Sequence, residues 1–320
     1  MIKIGYKLPN CAGVLCEPDW AHPGTIEDLA QLAHGLGYDS LWMHDHLLAP
    51  KEIQAAEPVV LEPLIAMARL TAMIPDIQFG IATLVLPLRD PILVARQLMT
   101  LYMFSPGRVI AGVGVGRYES EFVSMGSAWY HERGKVTTEF IRLIRCLWEE
   151  GDTSFNGTYR SAECGRFFPK LGRSGDLPIW VGGNSAAALR RAASVGDGFV
   201  PAAKTPEEIR ADRASLTRQL EELGRDPAGF PIGLSLTVEA VHRQHARAED
   251  LEERGLHGHG RDKAVAGEAE AVALRLNEFI ESGVEHFLLS FRASTLTALK
   301  EDMEWFSSAV RPQLVDAVRA

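Results

Sequence analysis

The sequence predicts a (β/α)8 barrel folded as one domain over residues 1–320, and three observations predict it. Eight apolar runs of strand length alternate with eight segments of helix length, the arithmetic of a chain that repeats one βα unit. The first run leads into Pro9-Asn10-Cys11-Ala12-Gly13, not the GxGxxG turn of a doubly wound sheet, which is the runner-up fold. A length of 320 residues is one that barrels fill as a single domain, although the usual prior is two.

The elements follow in order. Residues 2–8 form the first strand, and Thr25 with Asp28 three residues on opens the first helix in the manner of a capping box. Gly35 and Gly37 close that helix, and 39–43 is the second strand. A helix over 61–73 ends at Pro75, and 77–84 is the third strand. Asp90-Pro91 opens the third helix, with a capping side chain and a proline where a missing N–H costs nothing. Residues 109–113 give the fourth strand and 133–150 a long amphipathic helix. Between 151 and 177, glycine, proline and aromatic residues are too scattered for one element, and the segment reads as an insertion between helix four and strand five. Strands over 178–181 and 198–200 flank a helix over 185–195, and Thr205-Pro206 opens the next, to about 223. Strand seven spans 232–241, the seventh helix 268–281, strand eight 284–291 and the last helix 296–310. Residues 242–263, with His245, His257 and His259 among many charges, read as a mobile solvated loop over the mouth rather than a metal-binding tract.

Composition excludes several classes of function. Asp and Glu number 42 against 33 Lys and Arg, a net charge of −9, which argues against nucleic acid as the partner. No apolar stretch approaches the roughly 20 residues of a membrane span. The N-terminus lacks a signal-peptide core, and Cys11, Cys16, Cys146 and Cys164 show no CxxC spacing, so reduced thiols in the cytoplasm are expected.

In such a barrel the chemistry belongs after the strands. Strand two ends in Trp42-Met43-His44-Asp45-His46, which puts His44 and His46 on one side of an extended chain and Asp45 on the other. No third ligand cluster accompanies them, so no metal is expected. The plainer alternative packs one histidine in the barrel and uses Asp45 to cap the following loop. Small residues through Ala82 and Thr83 let a flat ring approach, though tight helix packing accounts for them equally well. Gly112-Val113-Gly114-Val115-Gly116 offers a bare backbone surface. Gly182-Gly183-Asn184-Ser185 opens a helix directly, a ready anion site, or else a plain turn capped by Ser185. Lys204 is placed to supply a cation there, and Arg292 either meets an anionic substrate group or forms a surface ion pair.

Taken together, Leu41-Trp42-Met43-His44-Asp45-His46, Val113-Gly114-Val115-Gly116, Ile179-Trp180-Val181-Gly182-Gly183-Asn184-Ser185 and Gly196-Asp197-Gly198-Phe199 resemble the luciferase-like monooxygenase superfamily. Within it the chain is more similar to the branch that uses the deazaflavin coenzyme F420 than to bacterial luciferase. The resemblance runs from strand one to about Pro201, with a looser fit to the last strand and helix. It implies a TIM barrel holding a flavin or deazaflavin at its C-terminal mouth. It implies that Asp45 and His46 lie near the ring, with His46 as proton-transfer group, and that a non-proline cis peptide falls at Ala82-Thr83. Gly114, Val115 and Gly116 would line the cofactor, and Gly182, Gly183, Asn184 and Ser185 would take its phosphate, with Lys204 on its tail. His44, Arg117 and Arg292 are the substrate-side candidates. The function implied is F420-dependent hydride transfer with a small organic substrate. The alternatives are an FMN- and O2-dependent monooxygenase and a non-catalytic flavin-binding protein. A homodimer and a flavin or F420 reductase are the implied partners. Two departures set the chain apart from the sugar-phosphate dehydrogenases of this branch. Arg117 stands where they carry glutamate, and Leu47-Leu48-Ala49-Pro50 replaces their aromatic residue.

Overall fold

Eight strands, with the short additions Leu84–Val85 and Val265–Gly267, build one curled parallel sheet in the computed structural model, which describes residues 2–12, 18–50, 52, 59–149, 151, 153–172, 175–241 and 264–315. The strands are β1 (Lys3–Lys7), β2 (Ser40–Met43), β3 (Gln78–Ile81), β4 (Val109–Gly114), β5 (Ile179–Gly182), β6 (Gly198–Val200), β7 (Gly233–Ala240) and β8 (His286–Phe291). Between or after them run α1 (Pro23–Gly35), α2 (Pro63–Met73), α3 (Pro91–Phe104), α4 (Arg133–Trp148), α5 (Ala186–Val195), α6 (Pro206–Glu222), α7 (Ala269–Glu281) and α8 (Leu296–Trp305). Hydrogen-bonded neighbours follow the order β6-β5-β4-β3-β2-β1-β8-β7. Isolated parallel bridges from Phe199 to Ile232 and from Ala202 to Ser235 connect the two ends of that order. Above them Val265–Gly267 adds a short strand to β7.

Strand alternation sorts the core into two layers. Leu41 and Met43 point outward into the large apolar cluster shared with Leu29, Ala33 and the other helices. Trp42, between them, points inward and joins Ile110, Trp180, Val200 and Leu288 in a separate plug. The indoles fit because the facing strand positions are glycine: a Cβ on Gly5 or Gly80 would collide with Trp42, and one on Gly198 or Gly233 with Trp180. His286 lies edge-on to both indoles, at 5.5 and 5.6 Å between centroids. Its Nε2 meets Ser40 Oγ at 2.7 Å, and Trp42 Nε1 donates to the same oxygen at 2.8 Å, so the buried polar atoms satisfy one another.

Most helix starts follow the expected capping chemistry. Asp90 accepts from the backbone N–H of Ile92 and Leu93, Ser185 from Ala188, and Thr205 forms a capping box with Glu208. The first helix does not: its cap is His22, whose ring accepts from Gly24, and Thr25 lies inside the first turn. Pro23 explains the earlier start, because its fixed φ and absent N–H suit the first helical position. Residues within 151–177 contribute an antiparallel hairpin, Thr153–Phe155 with Ala162–Gly165. The last helix ends at Trp305 and continues as one π turn, Phe306–Val310. The expected loop over 242–263, with its histidines, lies outside the described residues, as does Cys16.

Candidate active site

The strand ends converge on a cavity of about 480 Å³ that meets the inner plug at Val200 and Ala82. That volume is within the range of small-ligand pockets. Its wall includes His44, Asp45, His46, Ala82, Thr83, the 114–117 segment, Gly182 and Gly183, so most of the expected site residues meet in one place. A slightly larger cavity, about 540 Å³, opens at the other end of the strands. Two of its three arginines are committed there: Arg145 binds Asp197 at 2.6 Å, and Arg225 binds the carbonyls of Ala193 and Gly196.

The Ala82-Thr83 peptide is cis, at the position the resemblance implies. Thr83 there stands so close to β4 and β5 that a Cβ on Gly114 would strike its Oγ1 and one on Gly182 its Cγ2. Gly116 and Gly183 both take positive φ, 78° and 133°. At the C-terminal ends of β3, β4 and β5 the cavity wall is therefore bare backbone packed on the Thr83 side chain.

His46 and Asp45 have different surroundings. His46 Nδ1 lies 3.4 Å from Glu121 Oε2, and Glu121 Oε1 accepts from the Leu47 N–H at 3.0 Å. Among the described residues His46 Nε2 has no partner. Asp45 is fully engaged: it accepts from Val85 N at 2.7 Å and from Arg89 through both oxygens, at 3.1 and 2.6 Å. Arg89 also meets Glu62, the α2 cap, at 2.9 Å. Desolvation opposes the buried guanidinium charge, but Asp45 and Glu62 outweigh it and raise its pKa. Asp45 therefore ties strand two's end to the 85–89 segment that follows β3, not to the loop that follows its own strand.

His44 is held by its backbone: buried Asn10 accepts from the His44 N–H and donates to its carbonyl, both at 2.9 Å. In the Gly182–Ser185 turn, Asn184 bridges both backbone polar groups of Ala202, and Ser185 caps α5. What that turn leaves for an anion is backbone N–H at the exposed helix start. Two further expected residues stand in ion pairs. The Lys204 ammonium is buried against Asp212 of α6. Arg292 pairs with Glu239 at 2.7 Å, the ion-pair alternative. Arg117 stands exposed with its guanidinium 5.5 Å from the Tyr118 ring.

Sequence reasoning missed Glu121, Arg89, Asn10, Lys7 and Ser235. Glu121 sits on a short helix, Glu119–Ser124, one turn past the glycines rather than at a strand end. Arg89 and Asn10 reach the site from loops 44 and 34 residues away from their partners, which no local spacing reports.

Comparison with known proteins places the chain. A family model described as luciferase-like monooxygenase matches residues 2–285. Curated relatives include two proteins named F420-dependent glucose-6-phosphate dehydrogenase. The one from Kineococcus radiotolerans is 25% identical over 317 residues, covering 90% of each chain. The one from Amycolatopsis mediterranei is 27% identical over 216 residues, and the match spans 67% of this chain but only 61% of that relative. Among solved structures, an F420-dependent secondary alcohol dehydrogenase holding an F420-acetone adduct shares the fold with a TM-score of 0.81 at 19% identity, covering 98% of this chain and 99% of that one. A 3,6-diketocamphane monooxygenase of Pseudomonas putida in complex with FMN does so at 0.74 and 16%, covering all of both chains. With its strand-end cavity, its bare wall and a family match over most of its length, the chain is an enzyme of the luciferase-like monooxygenase family.

Proposed function

We propose that the chain is an F420-dependent oxidoreductase acting on a small organic substrate at the C-terminal mouth of a (β/α)8 barrel. The observation that carries this proposal is the cavity at the C-terminal ends of β3, β4 and β5, where Gly114 and Gly182 let Thr83 pack directly on the backbone and leave a small-residue wall for a flat tricyclic ring. The bridges between β6 and β7 support a closed barrel beneath it. Bound there, the deazaflavin would supply hydride transfer between its ring and a substrate carbon. Ala82, Thr83, Gly114, Val115, Gly116 and Gly182 would hold the ring, and the backbone of the Gly183-Asn184-Ser185 turn its phosphate. His46 would manage the accompanying proton. A carboxylate accepts only, so the Nδ1 facing Glu121 carries hydrogen and Nε2 is the basic nitrogen offered to the cavity.

A second assignment, FMN- and O2-dependent oxygenation, is supported by the FMN-bound neighbour. Fluorescence titration of the purified chain with F420 and with FMN separates the two. Saturable binding of F420, at least about tenfold tighter than FMN, is the expected result. Preference for FMN would transfer the proposal to the oxygenase, and binding of neither would overturn both.

A further inference from the structure

One charged group of the cavity is left out of that proposal. Lys7 ends β1, two residues after Gly5, whose bare inner face packs on Trp42, so alternation sends the Lys7 side chain inward above the plug. It lines the cavity, and its Nζ donates to Ser235 Oγ of β7 at 2.8 Å. Among the described residues it has no carboxylate partner. The surrounding elements explain why. From β2, Asp45 is taken by Arg89; beyond β4, Glu121 faces His46; at the rim, Glu239 of β7 is taken by Arg292 after β8. From β8, Ser290 shares a hydroxyl contact of 3.1 Å with Thr237, and His286 stays neutral one layer below. Among the described residues, Tyr6, His44, Tyr118 and the exposed Arg117 complete the titratable and charged groups that line the cavity.

In the strand order, β7, β8 and β1 form one contiguous arc, separated by β2 from the glycine-bearing arc of β3, β4 and β5. Resting on the proposal that a flat cofactor lies along the glycine arc, we infer that Lys7 and Ser235 on the other arc bind the carboxylate of the substrate, a small organic monoanion. A half-buried ammonium with only a hydroxyl for company is unfavourable, and an anion completes it. One cation with neighbouring hydroxyls matches a single negative charge; a phosphate dianion would leave one charge unbalanced. Burial lowers the Lys7 pKa to about 8 in the free protein, and a bound carboxylate would raise it again. Anion binding therefore needs the ammonium form, full below about pH 8 and lost above it.

The test is calorimetric titration of the purified full chain with butyrate, butyramide and inorganic phosphate, for the native protein and Lys7→Met. Native protein is expected to bind butyrate roughly 30-fold tighter than Lys7→Met near neutral pH. Its affinity should fall by about tenfold per pH unit above the Lys7 pKa, while butyramide shows no difference between the two proteins. A second measurement needs no variant: the Lys7 Nζ resonance should titrate near pH 8 and move upward when butyrate is added. Equal butyrate affinities, no saturable butyrate binding by the native protein, or an unmoved Nζ titration would each overturn the inference. Tighter binding of phosphate than of butyrate would overturn the monoanion. F420 affinity is measured alongside. Its loss in Lys7→Met with butyrate unaffected would assign Lys7 to the cofactor and overturn the substrate role. Failure of native protein to bind F420 or FMN marks the other proposal as wrong while leaving the butyrate comparison intact.

Discussion

At the residue scale, two neighbouring side chains that read alike in sequence do opposite work. Asp45 has every oxygen engaged by Val85 and Arg89, so it holds loops together, whereas His46 keeps one ring nitrogen toward the cavity and the other against buried Glu121. In the proposed tautomer, a buried carboxylate that accepts from the ring and from the Leu47 N–H would fix both the orientation and the hydrogen position of that imidazole. His46→Ala is accordingly expected to leave F420 affinity within a few-fold and to cut turnover by about 100-fold or more. Binding titration beside steady-state kinetics checks this, and unchanged turnover would remove His46 from the reaction. The motif His44-Asp45-His46 was legible as a site because three polar residues closed an apolar strand. The division of labour within it was not, since it depends on Arg89 and Glu121, 44 and 75 residues away.

At the element scale, the inner strand positions are kept small wherever something large must face them. Four strand glycines make room for Trp42 and Trp180, and two more for Thr83. Sequence showed Gly114 and Gly182 among glycines at strand ends but could not say what they faced. Gly182→Ala is expected to drive its methyl into Thr83, destabilising the fold by about 1–3 kcal/mol and weakening F420 binding more than stability alone explains. Gly35→Ala, with open space around it, is the control and should leave the cofactor titration unchanged. Equal F420 affinity in the two variants would show that the bare wall is not the cofactor's. Helix starts were readable where a capping side chain and Pro agree, as at Asp90-Pro91 and Thr205-Pro206. They misled at Thr25, where His22, three residues earlier and followed by Pro23, takes the cap.

At the scale of the whole molecule, the plug joins opposite sides of the curled sheet, and His286 titrates only when that joint opens. Burial, and after it the charge of Lys3, lowers its pKa to about 3, against about 6.5 for an unfolded histidine. Between those values the unfolded chain binds the extra proton, so stability falls as pH drops. Native protein should lose about 2 kcal/mol more than His286→Gln between pH 7 and pH 5 in urea unfolding. Parallel losses would mean that His286 does not set acid sensitivity. The sequence by itself determined the alternating βα order, the strand ends that carry chemistry and the glycine-lined turn before α5, because periodicity, capping residues and glycine act over a few residues. Only the tertiary structure decided which charges remain available. Lys204 and Arg292, offered as ligands by position, are paired with Asp212 and Glu239, while Lys7, unremarkable in a strand, is left facing the cavity with a single hydroxyl. Ion pairing follows distance in space, and strands that curl into one sheet bring together residues as far apart as 7 and 235.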